Sequence, residues 1–407
     1  MSDHPFVVVG AGLAASRAIE TLREEGHRGR VVLVGAESHL PYERPPLSKG
    51  VLAGNDDPLS TRTHDQQWYD DNDVDVRLGV TATGLDTNAH EVTVSSGDTV
   101  AYSKLLITTG AVPRVLDVPG NDLPGVHYLR TVDDSRALRE TLARGGRLVV
   151  IGAGWIGLES AAAGRAHDGE VTVVSPLAPL VTVVGDKISQ VFAKLHEDNG
   201  VRLVIGPGIE AIEGSDRVAG VRTSEGELLP ADAVVVGVGA APATALAQSA
   251  GLAVDNGILV DSALRTADPD VYAVGDVANW QHPLFGRRIR VEHWANAYDG
   301  GPAAARSMLG QAVSYDVMPF FFSDQYDVGL EYAGNVAPGA EAQVVVRGDL
   351  DGREFMAFWL VDGRLAAGMH VNMWDTIDAV QDLIRSGVTL DPVRLADPGI
   401  DLADVPS

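Results

Sequence analysis

The chain opens on an unbroken apolar run, "PFVVVG". A run that is apolar at consecutive rather than alternate positions is what a strand covered on both faces requires. The next stretch, "AGLAASRAIETLREEG", spaces its apolar residues at helical intervals and stops at Gly26. "RVVLVG" then supplies a second buried strand. The order returns near residue 147 as "RLVVIG", "AGWIGLESAAAGRAHDG" and "EVTVVS". The two units are copies of one strand–helix–strand plan, set about 142 residues apart. Such units predict parallel sheets with right-handed crossovers.

Between the copies lie a polar, loop-rich segment (51–75) and alternating strands such as "HEVTVSS". "SKLLITTGAVPRVLDVPG" reads as a buried strand that leaves through Gly and Pro, and "ADAVVVGVGAAP" closes the second unit in the same way at 231–242. "TADPDVYAVGDVA" leads into a helical stretch at 294–309. After about residue 315 the texture becomes aromatic and alternating: "FFFSDQYDVGLEYAG", "AQVVVRGDL", "EFMAFWLVDGRLAAGMHV". A last helix is expected over "MWDTIDAVQDLIRSG", closing a third domain.

Composition narrows the chemistry. The chain has 407 residues, a formal net charge of −25 and no cysteine. Without cysteine there is no disulfide, thiolate cluster or thiol active site, so redox chemistry would need a bound cofactor. The acidity argues against nucleic-acid binding. No apolar run approaches the roughly 18 residues of a membrane span, and "MSDHPFVVVG" has no signal-peptide pattern, so a cytoplasmic protein is expected. His282 and His370 have no companions at ligand spacing, so no metal is assigned. Arginine and lysine are sparse, yet "PYERPPLSKG" (41–50) puts Arg44 and Lys49 among three prolines, a loop built to hold both still.

"GAGLAA" sets Gly10, Gly12 and Ala14 between a strand and a helix, and "GAGWIGLE" sets Gly152, Gly154 and Gly157 likewise. The glycines allow the tight turn and close approach to a pyrophosphate, which the helix N-terminus attracts. Two such motifs imply two dinucleotides, economically a flavin and a nicotinamide, since hydride transfer needs a donor and an acceptor. "RTADPDVYAVGD" ends a strand at Gly275-Asp276, where a carboxylate could accept a ribityl hydroxyl.

These motifs, with "PYERPPLSK", "LLITTGAVPR", "HYLRTVDD", "VVVGVGAAP" and "FFFSDQYDVG", resemble the FAD-dependent NADH:ferredoxin reductases of P450 and ring-hydroxylating oxygenase systems. These are the putidaredoxin, rubredoxin and biphenyl-dioxygenase ferredoxin reductases, with apoptosis-inducing factor a distant relative. The resemblance implies an α/β fold with two Rossmann-like (glutathione-reductase-like) dinucleotide-binding domains plus a C-terminal α+β domain. It divides the chain into an FAD-binding domain (1–112 and 243–315), an NAD(P)H-binding domain (113–242) and a C-terminal domain (316–407). It implies FAD contacts at Gly10, Gly12, Ala14, Arg44, Lys49, Ala82, Arg130, Asp276 and Trp294. NADH contacts are implied at Gly152, Gly154, Ile156, Gly157, Glu159 and Gly239. Lys49, paired with Glu159, is implied to lie beside the reacting edge of the flavin.

Three positions depart from the family pattern. The acid for the adenosine ribose of FAD is Glu37, one place late, with Ala36 at the usual position. Ser175 stands where the nicotinamide unit usually has an acid; NADH is favoured and NADPH stays open. Phe322 replaces a frequent Trp. The implied partner is a [2Fe–2S] ferredoxin. Because ferredoxins are usually acidic too, docking is expected near Arg287, Arg288 and Arg290 of "GRRIR", with Arg44 and Arg62 adding charge. Both a monomer and a homodimer fit. The competing readings are a flavin reductase of a small molecule such as a quinone or monodehydroascorbate, and a redox-responsive binding protein.

Overall fold

The computed structural model describes residues 4–406. They fall into two compact units. One holds the chain up to Glu43 together with Leu59–Val112 and Ala240–Pro319; the other holds Arg44–Pro58, Pro113–Gly239 and the chain from Phe320 onward.

In the first unit five parallel strands stand in the order Val271–Ala273, Lys104–Ile107, Phe6–Val9, Val31–Gly35, Val74–Leu78. In the second the order is Arg202–Ile205, Glu170–Ser175, Arg147–Ile151, Ala233–Val236, Val126–His127, again parallel. The sheets match strand for strand. The opening strand of each copy is central, the next two run out to one side, and the order reverses on the other. The outermost strand on the reversed side comes from downstream in one copy and from upstream in the other.

The continuous apolar runs are buried on both faces: every residue of Val31–Gly35 and all of Leu148–Ile151 are out of water. Helix Leu13–Glu24 turns Ala14, Ala15, Ala18, Ile19 and Leu22 inward, the spacing its sequence predicted. Helix Trp294–Met308 crosses it closely, because a Cβ on Gly301 would stand 2.5 Å from the Ala14 carbonyl oxygen.

From Phe320 the chain builds an antiparallel sheet ordered Phe320–Gln325, Val328–Gly334, Arg364–Val371, Glu354–Val361, Gln343–Asp349. Phe355, Phe358, Trp359 and Met369 form its core. The last helix begins at Ile377, later than the pattern predicts, because Asp375 takes the left-handed conformation at φ +62°. Trp374 is therefore outside the helix and 56% exposed, with its ring edge-on to His370 at 5.2 Å. Among the described residues no helix is long and apolar enough to cross a membrane.

Candidate active site

In the first unit Gly10 follows the central strand at φ +107°, and a Cβ there would lie 2.3 Å from the Thr108 carbonyl oxygen. Only glycine fits where the strand order reverses. The Thr108 hydroxyl, at 3.0 Å from the Val9 carbonyl and 2.7 Å from that of Gly10, pins the turn. Gly12 caps helix Leu13–Glu24, and no atom lies within 4 Å of where its Cβ would be. The first helical turn carries no acid. Open space facing uncapped N–H groups at a helix's positive end is a cradle for a phosphate.

The other residues of this unit gather at the same sheet edge. Glu37 lies just past Val31–Gly35 and accepts a hydrogen bond from the Tyr42 hydroxyl. The Gly79 N–H donates to the Glu37 carbonyl at 3.0 Å, bringing up the chain that leads into strand Ala82–Asp86. Asp276 sits in the turn after Val271–Ala273, where a Cβ on Gly275 would lie 3.5 Å from that of Ala14. Trp294 opens helix Trp294–Met308 and stacks on Tyr298 at 4.6 Å. Its neighbour His293 is pushed down to about 4 by burial, against the nearby Asp276 carboxylate.

The second unit repeats the cradle. Gly152 has φ +102° with its Cβ position 2.4 Å from the Gly237 carbonyl, while Gly154 caps helix Trp155–Ala166 and faces open space. A Cβ on Gly157 would be 2.2 Å from the Gly152 carbonyl, so only glycine lets the helix lie this close to the turn. Ile156, 44% exposed, borders the opening, and Gly239 follows strand Ala233–Val236 at φ +97°. Ser175 is buried, and its hydroxyl accepts the Leu177 N–H at 3.3 Å. Leu177 and Val183 are exposed apolar residues in the stretch that follows, and Thr182, Asp186 and Lys187 are exposed there too.

Glu159 lies five residues into that helix and is 4% exposed. Lys49 Nζ is 2.8 Å from its Oε1. Ser48 donates to Oε2 at 2.5 Å and Ser323 to Oε1 at 2.6 Å. Every contact on this group is a donor, the surroundings a buried carboxylate needs. The loop bearing Lys49 is held within the same unit. Pro45–Ser48 form a 3-10 turn, the Ser135 hydroxyl bonds the Leu47 carbonyl at 2.7 Å, and Arg44 bonds the Arg130 carbonyl at 2.6 Å.

The pairing of Lys49 with Glu159 agrees with the resemblance, but Ser48, Ser323 and, behind them, Gln325 and His196 were missed. Strand Phe320–Gln325 buries Ser323 and Gln325 at alternate positions with exposed Asp324 between them, and polar residues on the buried face of a strand mark a polar core contact. The "GRRIR" arginines are partly engaged. Arg290 pairs with Glu292, and Arg288 donates to the Val260 and Asn279 carbonyls at 2.8 and 2.9 Å. His282 bonds the Val317 carbonyl and His370 pairs with Glu331. Among the described residues no group of three or more His, Cys, Asp or Glu is placed to hold a metal.

Two glycine cradles at reversal points of two parallel sheets, in a chain without cysteine, define an oxidoreductase that binds two dinucleotides. The donor sets fit that role, with open space at each helix cap and a carboxylate (Glu37, Asp276) at the first sheet's edge. The family model for pyridine nucleotide-disulphide oxidoreductases matches residues 4–301, and a reductase C-terminal model matches 320–405. The chain is 41% identical to the ferredoxin–NAD(+) reductase component of the anthranilate 1,2-dioxygenase system of Burkholderia cepacia, over 99% of each chain. It is 38% identical to rhodocoxin reductase of Rhodococcus erythropolis, over 98% of this chain and 93% of that one. Among solved structures, the ferredoxin reductase for the CYP199A2 system from Rhodopseudomonas palustris superposes with a TM-score of 0.94 at 37% identity, covering 99% of this chain and 100% of that one. The reductase in the covalent putidaredoxin reductase–putidaredoxin complex gives 0.94 at 32%, covering 100% and 98%. The chain belongs to the pyridine nucleotide-disulphide oxidoreductase family, in its ferredoxin–NAD(+) reductase branch, and uses FAD and NAD(P)H.

Proposed function

We propose that this protein carries electrons from NADH through FAD to a [2Fe–2S] ferredoxin that serves an oxygenase. The carrying observation is the pair of cradles in a cysteine-free chain that matches ferredoxin reductases along nearly its whole length. FAD, when bound, accepts two electrons together and releases them singly. The protein's part is to bind, orient and supply charge.

In this reading the FAD contacts are Gly10, Gly12, Ala14, Glu37, Arg44, Lys49, Ala82, Arg130, Asp276 and Trp294. Gly152, Gly154, Ile156, Gly157, Glu159 and Gly239 are the NADH contacts of this reading. The domain division given above, 1–112 with 243–315, 113–242 and 316–407, is the matching proposal, as are a cytoplasmic location and a monomer or homodimer. Lys49 presents a cation whose position is fixed by Glu159, which Ser48 and Ser323 hold in turn.

In steady state, NADH-driven cytochrome c reduction is expected only when a [2Fe–2S] ferredoxin is added; direct quinone reduction at comparable rates would overturn the reading. Charge reversal at Arg287 and Arg288 is expected to raise the apparent KM for ferredoxin. An unchanged value would remove that docking surface.

Coenzyme choice falls on Ser175. Its hydroxyl serves its own loop, so no carboxylate stands at the strand end to hold the 2′-hydroxyl of NADH. Ser175→Glu is expected to widen the NADH-over-NADPH ratio of kcat/KM by about tenfold. A ratio that does not move would mean the adenosine ribose is held elsewhere.

A further inference from the structure

We infer that His196 is a positioning residue for Glu159 and Lys49, acting through Gln325 and Ser323; this rests on the role proposed above for that pair. The proton order along the chain is forced. Ser323 has one hydroxyl proton and spends it on Glu159 Oε1 at 2.6 Å. Its oxygen can then only accept, so the Gln325 amide nitrogen, 3.2 Å away, must face it. Gln325 Oε1 is thereby turned to His196 Nε2 at 2.9 Å, and that nitrogen must carry the hydrogen. His196 Nδ1 is left as acceptor for the Tyr326 hydroxyl at 3.4 Å, a phenol pushed up to about 12 by burial and so a donor.

Every proton from Tyr326 to Ser323 therefore points toward one carboxylate. Ser323, Gln325 and His196 are buried at 1%, 2% and 0% exposure. Burial also holds the imidazole below its ordinary range, opposed by the bond to Gln325, which keeps the single-proton form this order needs. His196 comes from helix Asp186–Asp198, which supplies nothing to either cradle. Its effect is to fix the Gln325 amide, which keeps the Ser323 proton on Glu159 and so the Oε1 site that Lys49 shares. Without it the Gln325 amide can turn over and draw the Ser323 proton away.

The test compares His196→Asn with His196→Gln in the holoenzyme. A glutamine amide nitrogen reaches the place of Nε2, whereas an asparagine amide reaches only that of Nδ1. With Asn, the limiting rate of flavin bleaching by NADH is expected to fall about tenfold while the half-saturating NADH concentration stays within about twofold. With Gln, the rate is expected to recover to within about threefold of wild type. A merely structural histidine predicts equal loss of thermal stability in both variants and no change in rate, which would overturn the proposal. So would a ¹⁵N-histidine spectrum of the oxidised holoenzyme with His196 protonated on Nδ1. If His196→Asn does not fold, Gln325→Leu cuts the chain at the next residue, and an unchanged limiting rate there counts equally against it. Should Lys49→Ala and Glu159→Gln leave flavin reduction unaltered, the underlying reading fails; if they slow it and His196→Asn does not, only this inference fails.

Discussion

Gly12→Val yields a folded but colourless protein. Gly12 has extended backbone angles that any residue adopts, and nothing lies within 4 Å of its Cβ position, so the apoprotein has no reason to rearrange. The added side chain instead fills the space in front of the helix N-terminus where a pyrophosphate must approach. FAD affinity is expected to fall by a factor of at least about 100, the loss of two or three charge-assisted hydrogen bonds. Gly10→Ala is a different lesion. Its Cβ would stand 2.3 Å from the Thr108 carbonyl oxygen at a positive φ, so the fold itself must give way. Gly154→Val carries the argument to the second cradle, with flavin retained and NADH no longer saturating. Flavin absorbance per mole of purified protein, beside circular dichroism, checks the set. A yellow Gly12→Val protein with a full complement of FAD would show that the first cradle does not hold the flavin.

The second large effect is at Lys49. Lys49→Ala leaves Glu159, 4% exposed, with the hydroxyls of Ser48 and Ser323 as its remaining donors. Stranding a buried carboxylate costs several kcal/mol when nothing replaces the cation; two surviving hydrogen bonds bring the expected loss of stability to about 2 kcal/mol. The kinetic effect is larger. A fixed cation aimed at developing charge is worth about 100-fold in rate, and that is the expected fall in flavin reduction by NADH, with FAD content unchanged. Rapid mixing under anaerobic conditions measures it. Wild-type speed in Lys49→Ala would reduce the lysine to a structural partner of Glu159.

Much of the fold could be read from short-range pattern. The continuous runs at Val31–Gly35 and Leu148–Ile151 announce parallel strands because burial on both faces leaves no room for alternation. Gly10 and Gly152 announce the cradles because φ near +100° and carbonyl contacts near 2.3 Å exclude any Cβ. The core of the site is of another kind. Lys49 and Glu159 lie 110 positions apart, and Ser323 and Glu159 lie 164 apart. No local period connects such residues, and only resemblance suggested the first pair. Ser323, Gln325 and His196 gave a weaker signal, polar residues at positions that should be apolar, which acquires meaning only when their partners are in place. The start of the last helix is not legible in the sequence, because nothing in "MWDTI" marks Asp375 as left-handed. The charge pattern misled in part at "GRRIR", since an arginine beside Glu292 is not free to attract a partner.

The central expectation is that electrons enter from NADH as a pair and leave singly to a protein. Its most direct test is to reduce the holoenzyme with one equivalent of NADH without oxygen, then mix it rapidly with excess oxidised [2Fe–2S] ferredoxin. Two ferredoxins are expected to be reduced for each NADH, as the flavin returns to its oxidised spectrum. A flavin that stays reduced in the presence of ferredoxin, yet reoxidises at once with a quinone, would contradict it.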